Sequence, residues 1–311
     1  MAEITAGMVK DLREKTGVGM MDCKAALSAN SGNMEEAVDW LRAKGLAKAA
    51  KKSTRVAAEG LVGLCVRGTT GALVEVNSET DFVARNEKFQ AMVAEISKLA
   101  INAHGSTEAL KIMHFPGSPH AVAEYVAEMV ATIGENMTVR RTAALSVKKG
   151  AIGAYVHNQI APNMGKIGVI VGLESEGNVE ELDNFGRMLA MHIAATNPVA
   201  MDLDAVPPDV LAREKAVLEE KNAGKPANVM EKIVASGLKT YAKENCLLEQ
   251  SYVHDGSKSV TQAAAEAGAK AGGPIKITGF YRMQLGEGIE KQEDDFAAEV
   301  AKMSGTEQPK Q

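Results

Sequence analysis

The 311-residue sequence predicts an α+β protein with three parts: an N-terminal three-helix bundle, a duplicated α+β core with small antiparallel sheets, and a protruding antiparallel helical hairpin. Three observations carry this. Apolar residues recur at helical spacing near the N-terminus, a glycine-punctuated pattern of two strands and a helix occurs twice in mid-chain, and two thin apolar stripes flank a Gly-Lys-Pro turn farther on. Hydrophobic residues make up 45% of the chain and charged residues 24%, which excludes a disordered protein. At roughly 150 residues per domain the length allows two domains, or three if one is small.

In the bundle, Ile4, Met8 and Leu12 recur every fourth position, Thr5 can cap the start, and Gly17 ends the pattern. Asp22 opens a second helix carrying Ala26 and Leu27, which Gly32 closes. Asn33 with Glu36 forms a capping-box arrangement, and Met34, Ala37, Val38 and Leu41 line one apolar face of the third helix. Such a bundle buries little surface and is marginal alone. Its shape resembles the ubiquitin-associated (UBA) module. The stretch 42–55 then holds Arg42, Lys44, Lys48, Lys51, Lys52 and Arg55 with no acidic residue. It reads either as a phosphate-facing patch or as a solvated linker helix. The lack of an aromatic residue to stack on a base favours the linker.

The duplication pairs GLVGLCVRG from Gly60 with GAIGAYVHN from Gly150, GALVEVNSE from Gly71 with GVIVGLESE from Gly168, and FQAMVAEI from Phe89 with FGRMLAMH from Phe185. Each copy reads as strand, turn, strand, loop and helix, with the longer hairpin connection in the second copy. Two related units, each with helices on one face of a small sheet, are expected side by side. KITGFYRMQL at 276–285 is a further strand able to complete the second sheet.

Val210, Leu211, Val217 and Leu218 form one stripe of the hairpin, and Val229, Met230, Ile233, Val234, Leu238 and Tyr241 form the other, with the turn at Asn222–Pro226. Helices with such thin seams pack mainly on each other, as in a short coiled coil. The tail reads as a charged amphipathic helix with a frayed end. The expected organisation is a UBA-like bundle and basic linker at 1–55, a core subdomain at 56–145, and a second at 146–200 and 242–290. The hairpin at 201–241 is inserted in the core, and the tail is 291–311.

The chemistry of many function classes is missing. No phosphate-cradling GxxxxGK[ST] loop occurs, Gly17-Val-Gly19 follows a helix rather than a strand, and no GxSxG elbow is present. The histidines show no HExxH spacing, and the three cysteines, Cys23, Cys65 and Cys246, form no CxxC pair. The sequence therefore predicts a binding protein without metal, cofactor or catalytic residues, not an enzyme. A net charge of −5 and only 4% aromatic residues argue against a direct nucleic-acid site. The charged N-terminus lacks an apolar signal core, and no apolar run approaches the roughly 18 residues of a membrane helix. A soluble, cytoplasmic protein without membrane contact is expected.

The loop after the second strand of the first copy reads Glu79-Thr80-Asp81-Phe82-Val83-Ala84-Arg85-Asn86, with Val179 standing in the second copy where the first has Phe82. From the loop alone, Phe82 reads more readily as a core plug than as a contact residue, and the apolar Val179 supports that reading. The chain as a whole resembles one family closely. MVKDLREKTGVGMMDCKAAL, AAKKS, EVNSETDFVARN, IGENMTVRR at 133–141, MHIAA at 191–195, GKP at 224–226 and GFYRMQLGEGIEK at 279–291 together, in this order, are similar to bacterial elongation factor Ts. The stretches HGSTEALKIMHFPGSPH at 104–120 and AEAGAKAGG at 265–273 depart from the family's pattern, outside the motif positions.

The resemblance implies a guanine nucleotide exchange factor of translation elongation, whose partner is the GTPase elongation factor Tu. It implies that Thr80, Asp81, Phe82 and Val83 dislodge the partner's Mg²⁺, which reverses the reading of Phe82. It also implies that Met20, Met21 and Lys24 of the bundle, with Ile133, Gly134 and His157 of the core, contact the partner. A ribosome- or RNA-associated adaptor using the UBA-like module and the basic tract is the alternative.

Overall fold

The computed structural model describes residues 4–16 and 18–290, without the side chains of residues 46–48 and 50. The expected tail helix at 291–311, Gly17 and the Lys48 side chain lie outside the described residues. The chain opens with α1 (Ala6–Thr16), α2 (Met20–Ala29) and α3 (Met34–Lys52). The first core unit is β1 (Glu59–Arg67), β2 (Thr70–Ser78), α4 (Asp81–Ala84), α5 (Glu87–Ala100), α6 (Thr107–Ile112), α7 (Val122–Ile133) and β3 (Met137–Ser146). The second is β4 (Gly150–Ala161), β5 (Met164–Glu174) and α8 (Val179–Thr196), followed by the hairpin helices α9 (Pro208–Lys221) and α10 (Ala227–Asn245). It closes with β6 (Ser251–Tyr252), β7 (Asp255–Ser259), α11 (Val260–Ala271) and β8 (Lys276–Gln284).

The bundle closes over Val9, Leu12, Cys23, Ala26, Leu27, Ala37 and Leu41. Thr5 Oγ1 accepts the Met8 amide, and Asn33 Oδ1 accepts the amides of Glu35 and Glu36, as the capping residues predict. The second helix begins at Met20, not at Asp22, because the Gly19 carbonyl already accepts the Cys23 amide. Helix α3 carries the basic tract as far as Lys52 and lies along α7, with Arg55 in the turn that follows. A Cβ on Gly45 would come within 2.9 Å of the Ala131 methyl, and Ala49 packs against the first core. Arg42 reaches Glu128 at 3.9 Å, and Lys44 reaches Asp22 at 3.4 Å while covering the Trp40 ring. The tract is thus the docked second half of α3 and the turn after it, with several of its cations engaged inside the molecule.

Each unit forms a three-stranded antiparallel layer, β3-β2-β1 and β4-β5-β8. Strand β8 completes the second layer, as its sequence predicts. Two residue pairs, Val62 with Gly165 and Gly63 with Met164, join the layers into one six-stranded sheet among the described residues. The layers also pack on each other: Val62, Leu64, Leu73 and Ala143 of the first share a cluster with Ile152, Ile170 and Met283 of the second. On the other faces, Leu61, Val74 and Val76 lie under α5 and α7, and Val169, Val171 and Leu173 lie under α8 and α11. Strands β1, β2 and β5 are covered on both sides over most of their length, so they read as apolar runs without a clean alternation.

The duplicated glycines have the same task in both copies. Gly60 and Gly150 sit at φ of +120° and +131°, and a Cβ at either would collide with the carbonyl of Val76 or Leu173. At the second motif glycine, Gly153 meets the Gly186 backbone, which lets α8 lie directly on β4. The 104–120 stretch folds as a turn and α6, and the 265–273 stretch forms the end of α11 and its glycine cap.

In the helical hairpin, α9 buries no residue fully and α10 only Ala242. The seam is closed by pairs such as Leu218 against Gly237, and the root by Ala200, Val206, Ala242 and Cys246. Deleting the tip around Asn222–Pro226 is therefore expected to change the unfolding free energy by no more than about 0.5 kcal/mol. Urea denaturation checks this, and a large loss would show that the tip supports the core.

His192 is fully buried between α8 and the loop beyond α10. Its Nδ1 accepts the Val253 amide at 3.2 Å, and Nε2 lies 3.0 Å from the Gln250 side-chain carbonyl. Burial pushes its pKa below 6.5, against the opposing pull of Gln250. The unfolded chain therefore binds the extra proton first, and this stabilisation is complete above 6.5 and lost as pH falls below it. Denaturation midpoints measured from neutral to mildly acidic pH are expected to fall, and less steeply in a His192→Asn variant. Equal slopes would remove His192 as the cause.

Candidate functional site

The loop singled out in the sequence folds as the single-turn helix α4, directly after β2. One turn of helix has almost no stability of its own, so its pose depends on what surrounds it. Val83 and Ala84 point inward, only 4% and 2% exposed, and join the first core cluster. Phe82 points the other way and is 78% exposed. The core-plug reading of Phe82 is thereby overturned: Val83 is the plug, and the aromatic ring stands in solvent. Its counterpart Val179 is also 58% exposed, so the apolar character shared by these two positions does not mark burial.

The reason lies in how the two copies start their helices. In the second copy Asn178 caps α8 by accepting the Glu181 amide, and the helix runs on without interruption. In the first copy the cap is delayed to Asn86, which accepts the amides of Lys88 and Phe89 at the start of α5. The residues before it are spun off as α4, and Gln90 ties the Ala84 carbonyl from below at 2.9 Å.

The other end of α4 is held by the α7–β3 loop. Both carboxylate oxygens of Glu135 take donors from Thr80, the amide at 2.9 Å and the hydroxyl at 2.7 Å. One residue earlier, Glu79 accepts the Asn136 amide at 2.5 Å and pairs with Arg55 at 3.4 Å. Asn136 in turn donates to the Arg55 carbonyl at 2.7 Å, and Lys52 donates to the carbonyl of Gly134. Gly134 closes α7, and Ile133 is half-buried against the first core. The structure therefore brings Thr80–Val83, Ile133 and Gly134 into one platform, tied to the end of α3.

The remaining positions stand elsewhere. Met20, Met21 and Lys24 share the outward side of α2, with Met21 79% exposed. An exposed pair of methionines is an adaptable apolar surface. His157 is exposed on β4 in the second unit, its Nδ1 3.1 Å from the Tyr155 hydroxyl. Sequence reasoning missed Glu79, Glu135 and Asn136, although the IGENMTVRR motif contains two of them. Their signal was a pair of acids flanking α4 and the α7 end without a basic neighbour in sequence.

No group of three or more potential metal ligands occurs among the described residues, and none of their helices is long and apolar enough to cross a membrane. A groove of about 840 Å³ between α11 and the start of β8 is lined mainly by small and apolar residues such as Ala264, Gly268 and Ile275. What the α4 platform offers chemically is an exposed aromatic ring on a rigid base, beside one carboxylate, Asp81.

Comparison with known proteins bears out the family resemblance. A family model described as Elongation factor TS matches residues 79–287, which include α4 and its supporting loop. The chain is 61% identical over 302 residues to an Elongation factor Ts of Methylobacterium sp. strain 4-46, covering 97% of this chain and 98% of that one. It is 62% identical over 305 residues to that of Methylorubrum populi, covering 98% and 100%. With the protein of the same name from Azorhizobium caulinodans it shares 59% over 305 residues, covering 98% and 99%.

Proposed function

Because this chain belongs to the elongation factor Ts family, and so to the translation elongation factors, we propose that it is a guanine nucleotide exchange factor that binds GDP-loaded elongation factor Tu, displaces its Mg²⁺ and releases GDP so that GTP can rebind. The observation that carries this reading is Phe82, a bare aromatic ring on a one-turn helix held at both ends. In this reading the protein works in the cytoplasm, forms no covalent intermediate and needs no cofactor of its own. The bundle is a UBA-like module and the hairpin a coiled coil. The units divide after residues 55, 145, 200, 241 and 290.

The physical route runs through the partner's phosphate site. GDP is held there by backbone amides at a helix N-terminus and by Mg²⁺ bridging phosphate oxygens to the protein. A small shift of those amides removes several charge-assisted hydrogen bonds together. Phe82, pushed between partner helices near the metal, causes that shift without touching the nucleotide. Val83 anchors the wedge, Thr80 fixes its base, and Asp81 faces the metal's surroundings. Met20, Met21 and Lys24 supply a second contact on the nucleotide domain, and Ile133, Gly134 and His157 extend the first.

Linkage makes the effect reciprocal: a factor that weakens GDP binding is itself bound less tightly when GDP is present. The complex with the empty GTPase is then the tight one, and either GDP or GTP breaks it. An RNA-adaptor role draws less support, because Arg42, Lys44, Lys52 and Arg55 of the basic tract have partners within the chain. Release of fluorescent GDP from elongation factor Tu, with and without this chain, tests the proposal. Acceleration at substoichiometric amounts supports it, and an unchanged rate refutes it.

A further inference from the structure

We infer that Glu135 is a positioning residue for exchange, the group that holds α4 so that Phe82 points outward in its working pose. The inference rests on the exchange reading of Phe82 given above. Glu135 lies 55 residues from Thr80 in sequence, yet it takes both polar donors of that residue, the amide at 2.9 Å and the hydroxyl at 2.7 Å. Two bonds to one carboxylate fix Thr80 in backbone and side chain together. The Thr80 hydroxyl, turned toward Glu135, makes no cap to its own helix. A side chain that would ordinarily start α4 instead anchors it to another element.

The other restraints on α4 are of a different kind. Burial of Val83 and Ala84 and the Gln90 bond come from the helix bed beneath, and the Ser78 hydroxyl donates to the Thr80 carbonyl at 3.0 Å from the end of β2. They set the depth of the turn and the side that faces inward. The tie to Glu135 joins the start of α4 to a distant element and narrows the direction in which the Phe82 ring points. Glu135 is also where the platform meets the bundle: its neighbours Gly134 and Asn136 are bonded by Lys52 and by the Arg55 carbonyl at the end of α3. The bundle and the wedge, the two surfaces offered to the partner, are thus linked through one short loop.

A positioning role differs from simple structural support in three measurable ways. The first is a split between binding and rate: in Glu135→Ala, the maximal rate of GDP release at saturating factor falls roughly tenfold, as expected from losing about one charge-assisted hydrogen bond's worth of restraint. The factor concentration giving half that rate stays within about twofold, since an interaction that acts only in the exchange step lowers the maximal rate without changing binding. The second is rescue: Glu135→Gln recovers most of the rate, because the amide oxygen can take the Thr80 amide while its NH₂ donates to the Thr80 hydroxyl. The third is dependence on the wedge: added to Phe82→Ala, the Glu135→Ala change has no further effect on the rate.

The experiment is stopped-flow release of fluorescent GDP from elongation factor Tu with all four variants, each first shown by denaturation to be folded. The split, the rescue and the lost effect in the Phe82→Ala background together support the inference. A full rate in Glu135→Ala overturns it, and so does an equal fall in both backgrounds, which would mean that Glu135 acts apart from Phe82. A full rate in Phe82→Ala alone would bring down the wedge reading itself, a result distinguishable from the other two.

Discussion

Phe82→Ala is expected to slow GDP release from elongation factor Tu by roughly thirtyfold at saturating factor, the equivalent of the about 2 kcal/mol that an exposed aromatic anchor contributes at an interface. The same change is expected to alter the factor's own unfolding free energy by less than about 1 kcal/mol, because a ring 78% exposed has little packing to lose. A core phenylalanine would behave oppositely, costing about 3–5 kcal/mol and lowering exchange only through unfolding. Asp81→Ala provides the internal comparison. If steric displacement dominates, it reduces exchange less than Phe82→Ala does. Stopped-flow release and chemical denaturation on the same two variants decide between these outcomes.

The largest expected loss of stability lies away from α4, at Glu75. This carboxylate is fully buried on β2. It accepts Arg140 at 3.0 Å, Arg141 at 2.6 Å, Asn77 at 3.0 Å and the Gly286 amide at 2.8 Å. Burial opposes its charge, but the Gly286 amide, Asn77 and Arg141 outweigh that and hold its pKa below the ordinary carboxylate value. The two arginines also bond the end of β8 at Gln284 and the turn after it at Glu287. One buried acid thereby ties β2 and β3 of the first unit to the end of the second. Glu75→Ala leaves Arg140 and Arg141 facing an empty, desolvated site and is expected to cost about 3–5 kcal/mol by urea denaturation. Exchange by the folded fraction is expected to remain near normal, and a small stability loss would show that water replaces the carboxylate at little cost.

Much of this architecture is legible in the residues because the duplication repeats its constraints. Gly60 and Gly150 recur where a strand must take a backbone turn closed to other residues, and Phe89 and Phe185 recur where each helix meets its sheet. What the pattern hides is the stacking of the two layers. Strands covered by helices on one face and by another sheet on the other lose the alternation that would reveal a partner. Helices α7 and α11 and strand β3 escape notice for a related reason, since they follow no repeated motif. The direction of Phe82 is illegible from its loop, because a plug and a wedge call for the same side chain. Only the burial of its neighbour Val83 decides between them. Glu135 is harder still: its role depends on a contact between segments 55 residues apart.

The most direct test of exchange is calorimetric titration of this chain into elongation factor Tu, once nucleotide-free and once saturated with GDP and Mg²⁺. A factor that expels GDP must bind the empty GTPase more tightly, and by the same ratio by which it weakens GDP. The account predicts a much smaller dissociation constant for the empty partner, with the two ratios equal. Equal affinity for the empty and the GDP-bound partner would contradict it, since binding without that difference cannot drive release.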